Sequence, residues 1–175
     1  MATKIWCAVL AAAVLAAATT AEAEEISKKV IVAMEGLVSC QGCGSVGTWD
    51  LSGARPLPGA RLVVTCRDHR GRVVLYRAAK ADKNGYVFAE LFTTTMRGGY
   101  FDPAEACGAR LLESPDQRCS AATDVNGGLQ GAPLRFQNTT VPGQYADIDV
   151  YAAGPLAFRP PHCPPKTSTQ SQSSD

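Results

Sequence analysis

The chain has 175 residues, with 17 Lys and Arg against 16 Asp and Glu, leaving a formal charge of +1. That length fits one domain plus tails, and 19% charged with 46% hydrophobic residues excludes wholesale disorder. A near-neutral balance also argues against nucleic-acid binding, which needs a strongly basic surface to displace counterions.

Lys4 precedes an uncharged, Ala-rich run of 17 residues from Ile5 to Ala21, followed by Ala21-Glu22-Ala23. A basic start, a short apolar stretch and a small-x-small site read as a secretory signal peptide over residues 1–23. The run is shorter than the ~18–20 residues of a membrane-spanning helix. Near the C-terminus no second apolar run suggests a lipid anchor. The expectation is therefore a secreted protein with no membrane anchor. Cys7 leaves with the signal, and six cysteines remain: Cys40, Cys43, Cys66, Cys107, Cys119 and Cys163. An even count in an oxidising compartment predicts three disulfides, with the pairing open at this point. Cys40-Gln41-Gly42-Cys43 has the spacing of a redox pair or of half a zinc site. Its flanks are Gly-rich and extended, however, and the other cysteines are scattered, so structural bridges are expected. Cys40 and Cys43 would then fasten two different distant segments to one strand end.

The next elements read as strands. Val30, Val32, Met34, Gly36, Val38 and Cys40 occupy alternate positions, which indicates one buried face with a bulge expected at Gly36. Ala60, Leu62, Val64 and Cys66 repeat the pattern. Arg72 to Lys80 and Tyr86 to Phe92 flank Asp82-Lys83-Asn84-Gly85, whose Asn-Gly pair predicts a hairpin. Cys107, Ala109 and Leu111 give a shorter strand after a turn near Pro103 to Ala106, and Leu134 to Phe136 gives a weak one. In the last, Ala146, Ile148, Val150 and Ala152 alternate with Tyr145, Asp147, Asp149 and Tyr151, which places the aspartates on the wet side. Short strands bounded by Gly, Pro and Asn predict an all-β antiparallel sandwich or small barrel. The β domain is expected over 24–163, and residues 164–175 form a disordered Ser/Thr/Gln-rich tail.

The ordered set Val38-Ser39-Cys40-Gln41-Gly42-Cys43, Pro58-Gly59-Ala60, Val64-Thr65-Cys66, Ala81-Asp82-Lys83-Asn84-Gly85-Tyr86, Glu113-Ser114-Pro115, Asn126-Gly127-Gly128-Leu129 and Gly154-Pro155-Leu156-Ala157-Phe158 carries a resemblance. The chain resembles the Ole e I-like (pollen allergen and extensin) family of plants. Within it, the cysteine-containing domain of arabinogalactan and proline-rich cell-wall proteins is most similar. The resemblance implies a fold of about seven antiparallel strands in a β-barrel with three disulfides, Cys40–Cys119, Cys43–Cys163 and Cys66–Cys107. It also implies a secreted, often glycosylated protein of pollen, pistil or cell wall, associated with pectic polysaccharide or O-glycosylated wall proteins. The chain departs from the long relatives in having no extended Pro- or His-rich region. Extensin-like covalent cross-linking is therefore not expected of it.

No catalytic, metal or cofactor site is expected. His69 reads as part of a polar turn and His162 as part of a stapled end, with no nucleophile motif and no third metal ligand at suitable spacing. Asp147 and Asp149 invite comparison with a glycosidase acid–base pair, but the wet side of any strand carries such residues. Carbohydrate binding has more support. Sugar rings stack on exposed aromatics, and acidic wall polymers such as pectin attract cations. Trp49 either offers such a face or plugs one barrel end. Arg67, Arg70 and Arg72 start a basic cluster around the central hairpin, and Arg97 with Tyr100 forms a second candidate. Asn138-Thr139-Thr140 is a glycosylation sequon. The function read from the sequence is a non-enzymatic extracellular-matrix protein that binds pectin, galactan or wall glycoproteins. The alternative is an extracellular protein-interaction or signalling module, of the pollen-allergen kind, in reproductive or root tissue.

Overall fold

The computed structural model describes residues 29–93 and 102–164. The expected signal segment and all but the first residue of the expected tail lie outside them. Nine strands are present among the described residues: β1 (Lys29–Cys40), β2 (Arg55–Pro56), β3 (Arg61–Arg67), β4 (Val73–Lys80), β5 (Tyr86–Thr93), β6 (Cys107–Glu113), β7 (Ala121–Ala122), β8 (Ala132–Val141) and β9 (Ala146–Arg159). Two of these are only two residues long, which leaves seven principal strands. One helical turn, α1 (Pro103–Ala106), precedes β6; Asp102 caps it by accepting from the Ala104 N–H, and Pro103 starts it, where a missing N–H costs nothing.

The strands lie in the order β5-β1-β9-β8-β6-β3-β4 and curl into a half-barrel. Alternation explains its interior. Val32, Met34 and Val38 from β1, Leu62 and Val64 from β3, and Leu111 from β6 join Leu134, Leu156 and Phe158 in one buried cluster. Burial of this kind contributes ~1.5–3 kcal/mol for each large side chain. The three disulfides are Cys40–Cys119, Cys43–Cys163 and Cys66–Cys107, the pairs implied by the resemblance. The last joins directly opposed residues of β3 and β6.

The sheet differs from expectation in four places. First, it is mixed rather than purely antiparallel, because β1 and β9 run parallel from Lys29↔Ala146 to Cys40↔Phe158. Parallel neighbours need a long crossover, and here almost the whole domain serves as one. Second, β4 and β5 do not form a hairpin ladder: β4 pairs with β3 and β5 with β1. The Asp82–Gly85 turn does form, with the Asp82 carboxylate accepting from the Asn84 and Tyr86 N–H groups. It is anchored on β1, where the Val38 N–H donates to the Gly85 carbonyl at 2.8 Å, and so passes the chain from one edge of the half-barrel to the other.

Third, the irregularity expected at Gly36 carries its extra residue on β9. Gly36 faces Ala153 and Val38 faces Leu156, so Leu37 stands against both Gly154 and Pro155. A proline is tolerated at such a bulge because it has no N–H to offer a ladder. The added residue switches which parity faces inward. Tyr151 and Ala153 therefore share the core with Leu156 and Phe158, which corrects the reading of Tyr151 as a wet-side residue. Fourth, the weak Leu134–Phe136 segment is part of the ten-residue β8.

Candidate functional site

Register assigns the described loops to the two ends of the barrel. The C-terminal ends of β1 and β9, the 81–85 turn, and the 41–54 and 114–131 segments gather at one end, where two disulfides cross. The 68–72 turn and the 142–145 loop lie at the other, since β3 ends there and β9 begins there. The seven residues of β3 separate the two by about 20 Å.

Trp49 stands at the stapled end and is 70% exposed, so it is not a plug. The loop that carries it is built from Gln41. Its N–H donates to the Phe158 carbonyl at 2.8 Å, which extends the β1–β9 pairing by a residue. Its side chain is 1% exposed, the sole polar side chain among the described buried residues. The Nε2 amide donates to the Thr48 carbonyl at 3.1 Å and the Asp50 carbonyl at 2.8 Å, the two carbonyls on either side of Trp49. A single 3-10 turn over Cys43–Ser45 leads into the loop. The Thr48 hydroxyl then donates to the Ser45 carbonyl and accepts from the Asp50 N–H. The Asp50 carboxylate accepts from the Ser52 N–H and the Ser45 hydroxyl. Hydrogen bonding from Ser52, its hydroxyl first, holds this carboxyl below the usual carboxylate range. Trp49 is thus presented to solvent by a backbone clamped from below.

The Cys43–Cys163 bridge ties this loop to the segment that follows β9. Between them lies an open depression of about 420 Å³, lined by Val46, Arg159, Pro161 and His162. The Pro161 and Pro164 rings and the Arg159 guanidinium that line it are groups that contact sugar rings and their acidic substituents, and Trp49 stands on the adjoining loop without lining it.

The remaining candidates do not join this site. Arg67 and Arg72 are committed to the turn at the opposite end. Arg72 pairs with Asp68 at 2.7 Å, and Arg67 donates to the Gly71 carbonyl. Asp68 is held below the ordinary carboxylate range, by the Arg72 hydrogen bond first. Arg70 is exposed on the same turn. Arg97 and Tyr100 lie outside the described residues. Asn138 is exposed on β8 with φ +51°, where the β8–β9 register shifts between Phe136 and Thr140. Asp149 accepts from the Thr140 hydroxyl at 2.6 Å and Asp147 from the Gly143 N–H at 3.2 Å, so both aspartates serve the β8–β9 connection. Sequence reasoning missed Gln41. Its signal was a polar residue on the strand end between two cysteines, where the chain must turn without exposing carbonyls.

The fold and the sequence both have relatives. A non-classical arabinogalactan protein of Arabidopsis thaliana is 32% identical over 142 residues, covering 78% of this chain and 55% of that protein. The seed and root hair protective protein of the same plant is 29% identical, covering 77% of this chain and 76% of its own length. A pistil-specific extensin-like protein of Nicotiana tabacum is 29% identical over 71% of this chain but only 29% of that protein. The crystal structure of the major plantain pollen allergen shows the same fold, with a TM-score of 0.52 at 22% identity over 78% of this chain and 98% of that one. The arabinogalactan and extensin-like relatives and the pollen-allergen fold are consistent with the Ole e I-like family that the sequence resembles. No protein-family model matches. The chain therefore spans about half of the arabinogalactan relative and less than a third of the tobacco protein.

Proposed function

We propose that the chain is a secreted, non-enzymatic protein of the plant cell wall whose Trp49 loop binds wall polysaccharide, the pectic and galactan class. The observation that carries this reading is the clamping of both carbonyls beside an exposed tryptophan by one buried amide. A rigid aromatic loses little conformational freedom when a sugar stacks on it, which is where preorganisation gains affinity. The relatives' names support the setting: arabinogalactan, extensin-like and pollen proteins, none of them named as an enzyme. Three long-range disulfides suit an oxidising exterior.

Retention on immobilised galactan and homogalacturonan tests it. The wild-type chain is retained, and Trp49→Ala loses at least about tenfold, the equivalent of ~1.4 kcal/mol. Arg67→Ala with Arg70→Ala leaves retention on galactan unchanged, because those residues sit at the other end. Absence of retention, or equal retention of Trp49→Ala, refutes the proposal.

A further inference from the structure

β4 is an edge strand whose backbone pairs on one side only. Seven of its eight residues pair with β3, Val74 being the extra residue of a bulge between Val73 and Leu75. No ladder forms on its other edge among the described residues, though β5 lies close to it. Such an edge presents unpaired N–H and C=O groups to any extended chain. Its side chains are unlike those of an idle surface strand. Val74 is 53% and Tyr76 61% exposed, on the outward face that alternates with the core-facing Leu75 and Ala79. Arg77 shares the parity of Leu75 and Ala79, yet it is exposed, so it lies along the open seam rather than in the core.

Charge around this edge is one-sided. From Arg67 to Lys83 there are six cations, Arg67, Arg70, Arg72, Arg77, Lys80 and Lys83, against two carboxylates, Asp68 and Asp82. Both carboxylates are already engaged, Asp68 with Arg72 and its own turn, Asp82 with the Asn84 and Tyr86 N–H groups. Arg70, Arg77, Lys80 and Lys83 have no ion pair among the described residues. The arrangement opposes self-pairing, since two copies meeting edge to edge would bring these cations together.

We propose that β4 is a docking edge for an acidic, extended polypeptide segment that adds to the sheet as an antiparallel or parallel strand. Backbone pairing along Val73–Lys80 supplies the register. Apolar side chains of the partner lie beside Val74 and Tyr76 on the outward face, which also carries Lys80 at the strand end. Its alternate carboxylates lie along the seam with Arg77 and at the other end with Arg70. A polysaccharide shares the negative charge but has no N–H row to match the edge. This inference does not depend on the Trp49 site.

The test uses the full secreted chain and a fluorescein-labelled peptide of about eight residues alternating Glu with Val, read by anisotropy. Saturable binding is expected, with protection of β4 amides from hydrogen exchange. Arg77→Glu with Lys80→Glu is expected to weaken it at least about tenfold, as is backbone N-methylation of the peptide, which leaves the protein untouched. Equal binding of the N-methylated peptide means attraction by charge alone and overturns strand addition. Polygalacturonate protecting β4 while the peptide does not assigns the edge to acidic polysaccharide instead and also overturns it, as does no binding at all. Polysaccharide retention through Trp49 is read in a separate assay, so either proposal can fail without the other.

Discussion

Replacing Gln41 by Met keeps the buried volume near β1 and removes both donors to the Thr48 and Asp50 carbonyls. Each lost hydrogen bond costs ~1 kcal/mol net, and a carbonyl left dry costs ~1–3 kcal/mol. Thr48 and Asp50 are exposed residues, so water reaches part of the vacated space. The expected loss is about 2–3 kcal/mol. In a domain of this size that lowers the melting temperature by roughly 4–12 °C. Residues 24–175 contain Trp49 as their sole tryptophan, so its fluorescence anisotropy reports the loop directly. Gln41→Met should lower that anisotropy well below the global transition, because the two disulfides at this end hold the fold while the loop loosens. Gln41→Glu sharpens the test. A carboxylate there is desolvated and faces two carbonyl oxygens, so its folded pKa rises above its unfolded value. The native state then binds the extra proton, and the variant becomes less stable as pH rises through that folded value and recovers as pH falls. Unchanged melting and anisotropy in Gln41→Met, or a Gln41→Glu variant indifferent to pH, refutes the claim that this amide organises the loop.

Gly85 has φ +75°, and a Cβ there would meet the Val38 carbonyl oxygen; Gly85→Ala should therefore destabilise by ~1–3 kcal/mol in denaturant titration. Replacing Cys66 and Cys107 by Ser opens a bridge spanning 41 residues and should remove ~4 kcal/mol by chain entropy, read the same way. Asp50 has a depressed pKa, so its support of the loop is present above the unfolded carboxylate value of ~4 and is lost as pH falls through the folded one. Trp49 anisotropy should accordingly hold steady from neutral pH to about 5 and drop only in stronger acid. Tyr86 is pushed up to about 12, by partial burial first and then by the hydrogen bond it donates to Glu35. Its protonated form favours the folded state, so that contribution is complete below ~10 and lost as pH rises toward 12. Glu35→Gln should bring the ultraviolet phenolate titration of Tyr86 down. Protein secreted from a eukaryotic host should lose mass on endoglycosidase treatment, and Asn138→Gln should abolish that shift.

Strand content was legible wherever one face is buried and the other wet. β1 and β3 show period-two alternation because alternate residues join the one core cluster, although Ala33 and Val63 on their other faces are buried as well. The bounds read from the sequence agree with the observed ones to a residue. The Asp82–Gly85 turn was legible for local reasons: Asn-Gly tolerates the backbone angles and Asp accepts the turn's N–H groups. The fate of the flanking strands was not, since turn chemistry sets only the reversal and leaves open which neighbours each strand then takes. The parallel β1–β9 pair has no local signal, because it joins residues more than a hundred positions apart. β9 was misread by parity, as a single bulge at Gly154-Pro155 exchanges the faces partway along. The charge cluster was visible as composition, but its separation from Trp49 depends on which barrel end each loop occupies, and only strand direction settles that.

Those directions also explain how one small sheet can keep two surfaces of different character. Cys40–Cys119 and Cys43–Cys163 both cross at the stapled end, where an exposed tryptophan must be held still without a core of its own. Covalent ties and the Gln41 clamp supply there what burial supplies elsewhere. Along β4 the opposite holds. Among the described residues the backbone edge stays unpaired and Val74 and Tyr76 stay exposed, so cations along the edge oppose its pairing with its own kind. Charge of one sign repels a second copy but attracts an oppositely charged strand, so the same residues that guard the edge define what can occupy it. Reversing Arg77 and Lys80 should therefore do two things at once. It should abolish capture of the Glu-alternating peptide and permit capture of a Lys-alternating one, whereas a merely solvated basic face would show neither exchange.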